Sequence, residues 1–373
     1  MATQTQRFTA LDVFRGMTIC FMIIVNTPGN GNTTWSPLLH AHWHGFTPTD
    51  LVFPSFLFAV GNALSFVMPK WANLPTGTVV WKILKRTFII FLLGYLMYWF
   101  PFIKQVNGNI IFAPFSETRV FGVLQRIGLC YGIAALLLYF FKPKLTVLIT
   151  ISILALYWII LLLYGQADPF SLEGNAGTLL DKWLLGDAHL YHGEGVAFDP
   201  EGLLGTLPAV GNVVGGFVVG SFIQKHGKTY ETLTKLLLAG AGLMALAWSL
   251  NHFIPVNKKL WTSSFVLLTV GLDCIIIAAI IYIIDFLHKT KWTYFFEVFG
   301  RNPLFIYLLS ELGVILLYVF SVHPKQSVYK WLYDTIYLHA GDYLGSFLFA
   351  VSIMLVCWLA GYFMDKRKIY VRV

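Results

Sequence analysis

Ten stretches of this chain, each close to twenty residues and mostly apolar, leave it few folds to adopt. They run at roughly 9–27, 50–68, 84–101, 119–141, 145–165, 202–223, 232–253, 261–287, 300–321 and 343–364, bounded by polar residues, Gly or Pro. A helix of about 20 apolar residues crosses the hydrocarbon core of a bilayer. A segment in lipid must also satisfy its own backbone hydrogen bonds, which a helix does. The expectation is therefore an all-α, polytopic membrane helix bundle of about ten transmembrane helices. Composition agrees, with 57% of residues hydrophobic and only 12% charged. The first stretch carries Asp12 and Arg15 and lacks a small-residue cleavage site, so it reads as a retained helix. Cys20, Cys130, Cys274 and Cys357 lie far apart inside apolar stretches with no CxxC pair, and read as core packing. No repeat, low-complexity tract or soluble domain interrupts the pattern, which gives a single transmembrane domain over 1–373.

Charge orients the bundle. With the N-terminus in the cytoplasm, seventeen Lys and Arg fall on that side and seven on the other, with Arg15 and Arg126 inside spans. The positive-inside rule then favours N-in and C-in, with an even number of helices. The net charge of +8 is thus mostly a topology signal, with anionic lipid headgroups as partners. No basic and aromatic interleaving argues for nucleic acid. Histidine shows the opposite asymmetry: His40, His42, His44, His189, His192, His252, His323 and His339 fall on or near the outer side, against His226 and His288 inside. Chemistry is expected at the outer face, where the longest loop, about 166–201, is placed to pack over the site.

A polar side chain inside a span is costly unless paired or wet, so each is a functional candidate. Asp12 and Arg15 are three apart and share a helix face, as a structural ion pair or as a contact for an anionic ligand. Gln125 and Arg126 open the fourth span; with no acid nearby in sequence, Arg126 needs a partner from another helix or a phosphate. Asp199, Pro200 and Glu201 lead into the sixth span, where acids suit the positive end of a helix dipole. Asn257, Lys258 and Trp261 stand on the outer side against the positive-inside trend, for a ligand or for a carboxylate such as Glu201. Arg301, Asn302 and Pro303 open the ninth span, with helix capping as the plain account.

The segment Leu39–Gly61, LHAHWHGFTPTDLVFPSFLFAVG, carries the densest chemistry. Its HxHxH pattern invites a metal reading, but alternate spacing in an irregular loop defines no face, and no metal is expected. Three histidines around Trp43, followed by Asp50, exceed what packing needs. An imidazole oriented by a carboxylate can take a proton from an amine or hydroxyl as that group attacks an acyl carbonyl. Asn26, at the outer end of the first span, can donate to the developing oxyanion. The chain has no GxSxG elbow, Walker loop or GxGxxG in the right context, which removes support for hydrolase, ATPase and dinucleotide readings.

Six pieces in one order resemble a known family: RFTALDVFRG, HAHWHGFTPTDLVFPSFLFAVG, RVFGVLQRIGLCY, FDPEGLLGTLPA, NKKLWTSS and GRNPLFIY. They are spread along nearly the whole chain and resemble the heparan-α-glucosaminide N-acetyltransferase family and its bacterial relatives of the YeiB and NagX type. The resemblance implies a membrane acyltransferase fold. It also implies transfer of acetyl from cytosolic acetyl-CoA, as co-substrate, to the amine of a glucosamine across the membrane. By position in the HxxWxGxxxxD pattern, the catalytic histidine corresponds to His40, with Asp50 orienting it and Asn26 in support. His42 and His44 depart from the pattern.

On this reading Trp43 stacks on the sugar, Asp199 or Glu201 hydrogen-bonds it, and Asn257, Lys258 and Trp261 complete the acceptor side. Arg15, Arg126, Lys85 and Arg86, with Gln125 and Asn302, form the candidate set for acetyl-CoA. The partners implied are a small amino sugar, acetyl-CoA and the lipid bilayer of a bacterial inner membrane, with a homodimer by analogy. A direct transfer and a route through acetyl-His40 both stay open. So does a secondary transporter for amino sugars, for which Pro54, Pro208 and Pro303 would mark broken helices.

Overall fold

The computed structural model describes residues 8–106, 109–323 and 326–371. The protein is all-α. Its helices are α1 Thr9–Asn26, α2 Val52–Trp71, α3 Thr76–Trp99, α4 Val123–Phe140, α5 Pro143–Tyr164, α6 Ala176–Leu185, α7 Leu203–His226, α8 Tyr230–Leu250, α9 Ser263–Ile281, α10 Thr293–Arg301, α11 Pro303–Val319, α12 Val328–Leu332 and α13 Asp342–Lys366. Two short antiparallel hairpins, Ile103–Val106 with Asn109–Phe112 and Ser321–His323 with Gln326–Ser327, are the strands among the described residues.

Each of the ten apolar stretches is helical. Among the described residues, eight segments are long and apolar enough to cross a membrane, and α10 with α11 makes a ninth when taken as one span. Helix α3 has the length, 24 residues, and carries Lys82, Lys85 and Arg86 in its first half. The α10–α11 pair bends by 83°. Asn302 sits at the break with φ −130° and ψ 52°, as expected of a residue before a proline, which is pushed out of helical geometry. Arg7, Lys325 and Arg372, part of the charge balance above, lie outside the described residues.

By contact density the chain divides into two compact units. The first comprises Met1–His40, Thr47–Phe56 and Ile275–Arg372, built on α1, α10, α11 and α13. The second comprises Ala41–Phe46 and Leu57–Cys274, built on α3, α4, α5 and α7 with α6 against α5 and α7. The four cysteines are buried and unpaired, spread among the helix cores.

Without water, helices associate through close packing, and small residues let backbones approach. In the first unit, a Cβ on Gly16 would stand 1.8 Å from Phe296 O, and one on Gly300 2.2 Å from Asp12 O, so α1 and α10 touch at a reciprocal glycine pair. In the second, the same geometry joins α2 and α7: a Cβ on Gly61 would lie 1.7 Å from Val213 O and one on Gly216 1.9 Å from Phe58 O. Gly216→Leu is therefore expected to force α7 off α2 and to cost at least about 1–3 kcal/mol in a denaturation series on detergent-solubilised protein. Gly242→Leu, at a position on α8 where a Cβ meets nothing within 4 Å, should stay within about 0.5 kcal/mol of the parent.

Candidate active site

His40 lies at the end of a coil of short 3-10 turns that follows α1. Its Nδ1 is 2.7 Å from Asp50 Oδ1. Asp50 is held by the turn Pro48–Leu51, in which Oδ2 accepts from the Thr47 backbone N–H at 3.0 Å and Thr47 Oγ1 stands 3.1 Å away, a capping box. Thr47 Oγ1 also lies 2.7 Å from Leu39 O, and Thr49 Oγ1 donates to Pro37 O at 2.9 Å, so the turn fastens the residues just before His40. The carboxylate is buried at 1% side-chain exposure while the imidazole is 41% exposed, which suits a group meant to meet a substrate. With Nδ1–H donated to Asp50, Nε2 is the basic nitrogen.

The other candidates of the first unit are engaged within it. Asn26 Nδ2 donates to Glu311 Oε1 of α11 at 3.3 Å. Arg15 pairs with Asp12 at 2.7 Å, as their spacing on one helix face allows. Arg301 bridges Asp365 at 2.5 Å and Glu297 at 2.7 Å. Asn302 does not cap α11 through its side chain among the described residues, contrary to the capping expectation. Its amide instead donates to Ile369 O at 2.9 Å and accepts from Val371 N at 2.9 Å, tying the segment after α13 to the bend.

In the second unit, the segment after His40 is pinned by the chain preceding α9. Gly45 N donates to Val256 O at 2.8 Å, Asn257 Nδ2 to His44 Nδ1 at 3.3 Å, and Lys259 Nζ to His42 O at 2.8 Å. Lys259 is paired with Glu194 at 2.7 Å. Burial lowers the His44 pKa, against a smaller opposing pull from Asp168, so the ring is neutral and accepts the Asn257 hydrogen bond at Nδ1. Trp43 donates its indole N–H to Phe170 O at 2.7 Å and meets Phe198 edge-on at 5.6 Å, which places two parts of the long outer loop against it. Asn257 is fully buried and shapes the turn into α9, with Oδ1 accepting from Leu260 N at 2.8 Å. Trp261, buried and left-handed at φ 56°, donates to Asn212 at 3.0 Å.

Beside this stands a buried charge cluster. Arg119 donates from Nε and Nη2 to both oxygens of Asp199, at 2.9 and 2.7 Å, and from Nη2 to Glu201 at 2.6 Å. Its guanidinium lies between the Tyr98 and Tyr191 rings, at 4.9 and 4.8 Å from their centroids. Burial works against the Glu201 charge, but Arg119, Arg126 and Lys258 outweigh it and hold that carboxyl low. The expectation that Asp199 and Glu201 face the start of α7 is replaced here: both turn to Arg119. The first backbone N–H of α7, that of Leu203, is taken by Asp181 of α6 at 3.1 Å. Gly202 makes room for this, since a Cβ there would stand 1.8 Å from Asp181 Oδ2. Arg126 donates to Gly202 O at 3.0 Å and covers the Trp261 ring at 4.9 Å; its Nε and Nη1 have no hydrogen-bond partner among the described residues. Gln125 donates to Val120 O at 3.0 Å. Lys85 and Arg86 are exposed in the first half of α3, with Arg86 4.7 Å over the ring of Tyr131, which follows Arg126 by five residues on α4. Among the described residues no three His, Cys, Asp or Glu side chains converge to hold a metal.

Residues 7–250, holding the His40–Asp50 pair and the Arg119 cluster, match the family model described as heparan-alpha-glucosaminide N-acetyltransferase, catalytic. The chain belongs to this family. It is 28% identical over 370 residues to the heparan-alpha-glucosaminide N-acetyltransferase of Mus musculus, covering 83% of this chain and 54% of that protein. The Homo sapiens protein of the same name is 28% identical over 365 residues, covering 82% and 53% respectively. The chain thus spans about half the length of the curated relatives it matches.

Within this N-acetyltransferase family match lie His40, Trp43, Asp50, Asn26, Asp199 and Glu201, whereas Asn257, Lys258, Trp261 and Asn302 fall beyond it. Sequence reasoning passed over Arg119, Lys259 and Glu194. Their signal was available: Arg119 and Lys259 were among the few cations that the charge balance leaves on the outer side, and each is ion-paired to an acid.

Two predictions follow from the charge cluster. Arg119→Ala leaves two buried carboxylates without their cation and should destabilise the protein by about 3–5 kcal/mol in a chemical denaturation series. Burial pushes the Asp181 carboxyl up to about 7 from its ordinary 3.8. A group whose pKa is raised on folding stabilises fully below its unfolded value, and that contribution is lost as pH rises through the folded one. Asp181→Asn, which keeps an acceptor for Leu203 N, is expected to flatten the decline in melting temperature between about pH 4 and 7 relative to the parent.

Proposed function

We propose that this chain is a membrane-embedded acyltransferase that moves an acetyl group from cytosolic acetyl-CoA to the amine of glucosamine or a related amino sugar at the outer face of a bacterial inner membrane. The observation that carries the reading is the 2.7 Å contact between His40 and a buried Asp50, within the region matched by the family's catalytic model. Asp50 fixes the tautomer, so Nε2 takes the proton of the attacking amine as its nitrogen bonds to the thioester carbonyl. The C–S bond then breaks, and the imidazolium returns the proton to the departing thiolate. Asn26, one of whose amide hydrogens goes to Glu311, offers the second to the oxyanion.

Each remaining role is assigned within its own unit. Trp43 carries the sugar ring, its indole plane set by the bond to Phe170. Asn257, Lys258 and Trp261 support the acceptor side. Asp199 and Glu201, already engaged by Arg119, order the outer loop there. Lys85 and Arg86 are the cations we assign to the CoA phosphates, because both are exposed, whereas Arg15, Gln125 and Asn302 are held by neighbours in the protein and Arg126 is buried. N-in and C-in topology delivers the donor from the side these two cations face.

The 83° bend between α10 and α11 favours one second reading, a secondary transporter with a broken helix. Purified protein mixed with acetyl-CoA and glucosamine separates the two. The acyltransferase releases free thiol, and His40→Ala lowers that rate by about 10²–10⁴-fold. Glucosamine uptake into proteoliposomes without acetylation would decide for the transporter. Labelled acetyl trapped on His40 in the absence of acceptor would replace direct transfer by a two-step route.

A further inference from the structure

The first unit contains an apolar groove of about 260 Å³ beside the His40 turn. One wall is α1 from Phe14 to Val25, roughly 16 Å of helix axis. Its upper end is formed by Leu38 and by Pro48 and Thr49 of the turn that holds Asp50. His40 follows Leu38 by two residues, so its Cα lies within roughly 7.6 Å of that wall's Cα. Asp50 follows Thr49 directly. The groove therefore starts beside the turn that holds the candidate catalytic pair and runs along a helix long and apolar enough to cross a membrane.

Its lining is almost wholly apolar, and its few hydroxyls have their protons or contacts committed elsewhere. Thr18 Oγ1 donates to Phe14 O at 2.9 Å and Thr49 Oγ1 to Pro37 O at 2.9 Å, while Ser55 is likewise engaged. A sugar or the amide-bearing arm of a coenzyme would leave polar groups unmet there, at high cost. An alkyl chain loses nothing. An occupant with a polar head at His40 and a chain descending along α1 has the form of a membrane amphiphile.

We propose that this groove takes the alkyl chain of the acceptor, so that the amine acetylated at His40 belongs to a lipid-linked amino sugar. This rests on the reading of His40 as catalytic base and names the acceptor class. The test uses the full chain in nanodiscs with dodecyl glucosaminide and methyl glucosaminide. The KM for the dodecyl compound should be lower by at least about tenfold, since several methylenes leave water for the groove. In Met17→Trp, which fills the groove, the two KM values should draw within about twofold of each other. Equal KM values in the parent would overturn the proposal.

Binding is read separately from catalysis. A dodecyl glucosaminide carrying a diazirine on its chain should label α1 peptides in both the parent and His40→Ala, with unlabelled dodecyl glucosaminide competing and phosphatidylethanolamine not. Labelling that persists in a protein acetylating no acceptor would uphold the groove and remove the catalytic reading. Competition by phosphatidylethanolamine would make it a general lipid groove, and competition by a long-chain acyl-CoA would assign it to the donor; either refutes the proposal.

Discussion

A polar group below the membrane surface has no water to turn to, and the cost of leaving it unmet governs this structure. The backbone answers by being helical nearly everywhere. Side chains answer by pairing across elements, and they do so most densely in the second unit. There one guanidinium serves two carboxylates between two tyrosine rings, and a third carboxyl meets the first amide of α7. Replacing such a cluster by apolar residues need not weaken a protein. Its presence fits a role in holding the long outer loop, which then holds Trp43 through Phe170 and Phe198.

The spans were legible because burial in lipid writes itself into every residue of a helix. The His40–Asp50 pair was legible because its members stand ten residues apart around one turn, and Asp12 with Arg15 because they share a helix face. What could not be read was pairing at long range. Arg119 meets partners 80 and 82 residues away, Lys259 one 65 residues away, and Asn257 meets His44 across 213. Charge type and spacing carry no information about such partners. The same limit misled the reading of Asp199 and Glu201: acids before a helix ordinarily suit its dipole, but a nearby arginine outcompetes the dipole's partial charge.

The outer cations hold a more general point. The positive-inside rule counts charges that must stay on one side of the bilayer, and it treats exceptions as noise. Here Arg119 is paired with Asp199 and Glu201 and Lys259 with Glu194, so the two cations add little net charge to the loops that carry them. An exception of this kind marks a built electrostatic contact.

Asp50 divides its two oxygens between separate tasks: Oδ1 meets the imidazole and Oδ2 secures the turn. A carboxylate shared in this way cannot pivot, so the ring plane of His40 inherits the stiffness of four residues of backbone. A glutamate there, longer by one methylene, satisfies either oxygen's partner but not both at once. The set of the His40 ring and the architecture of the turn are therefore one feature, and a change to either disturbs the other.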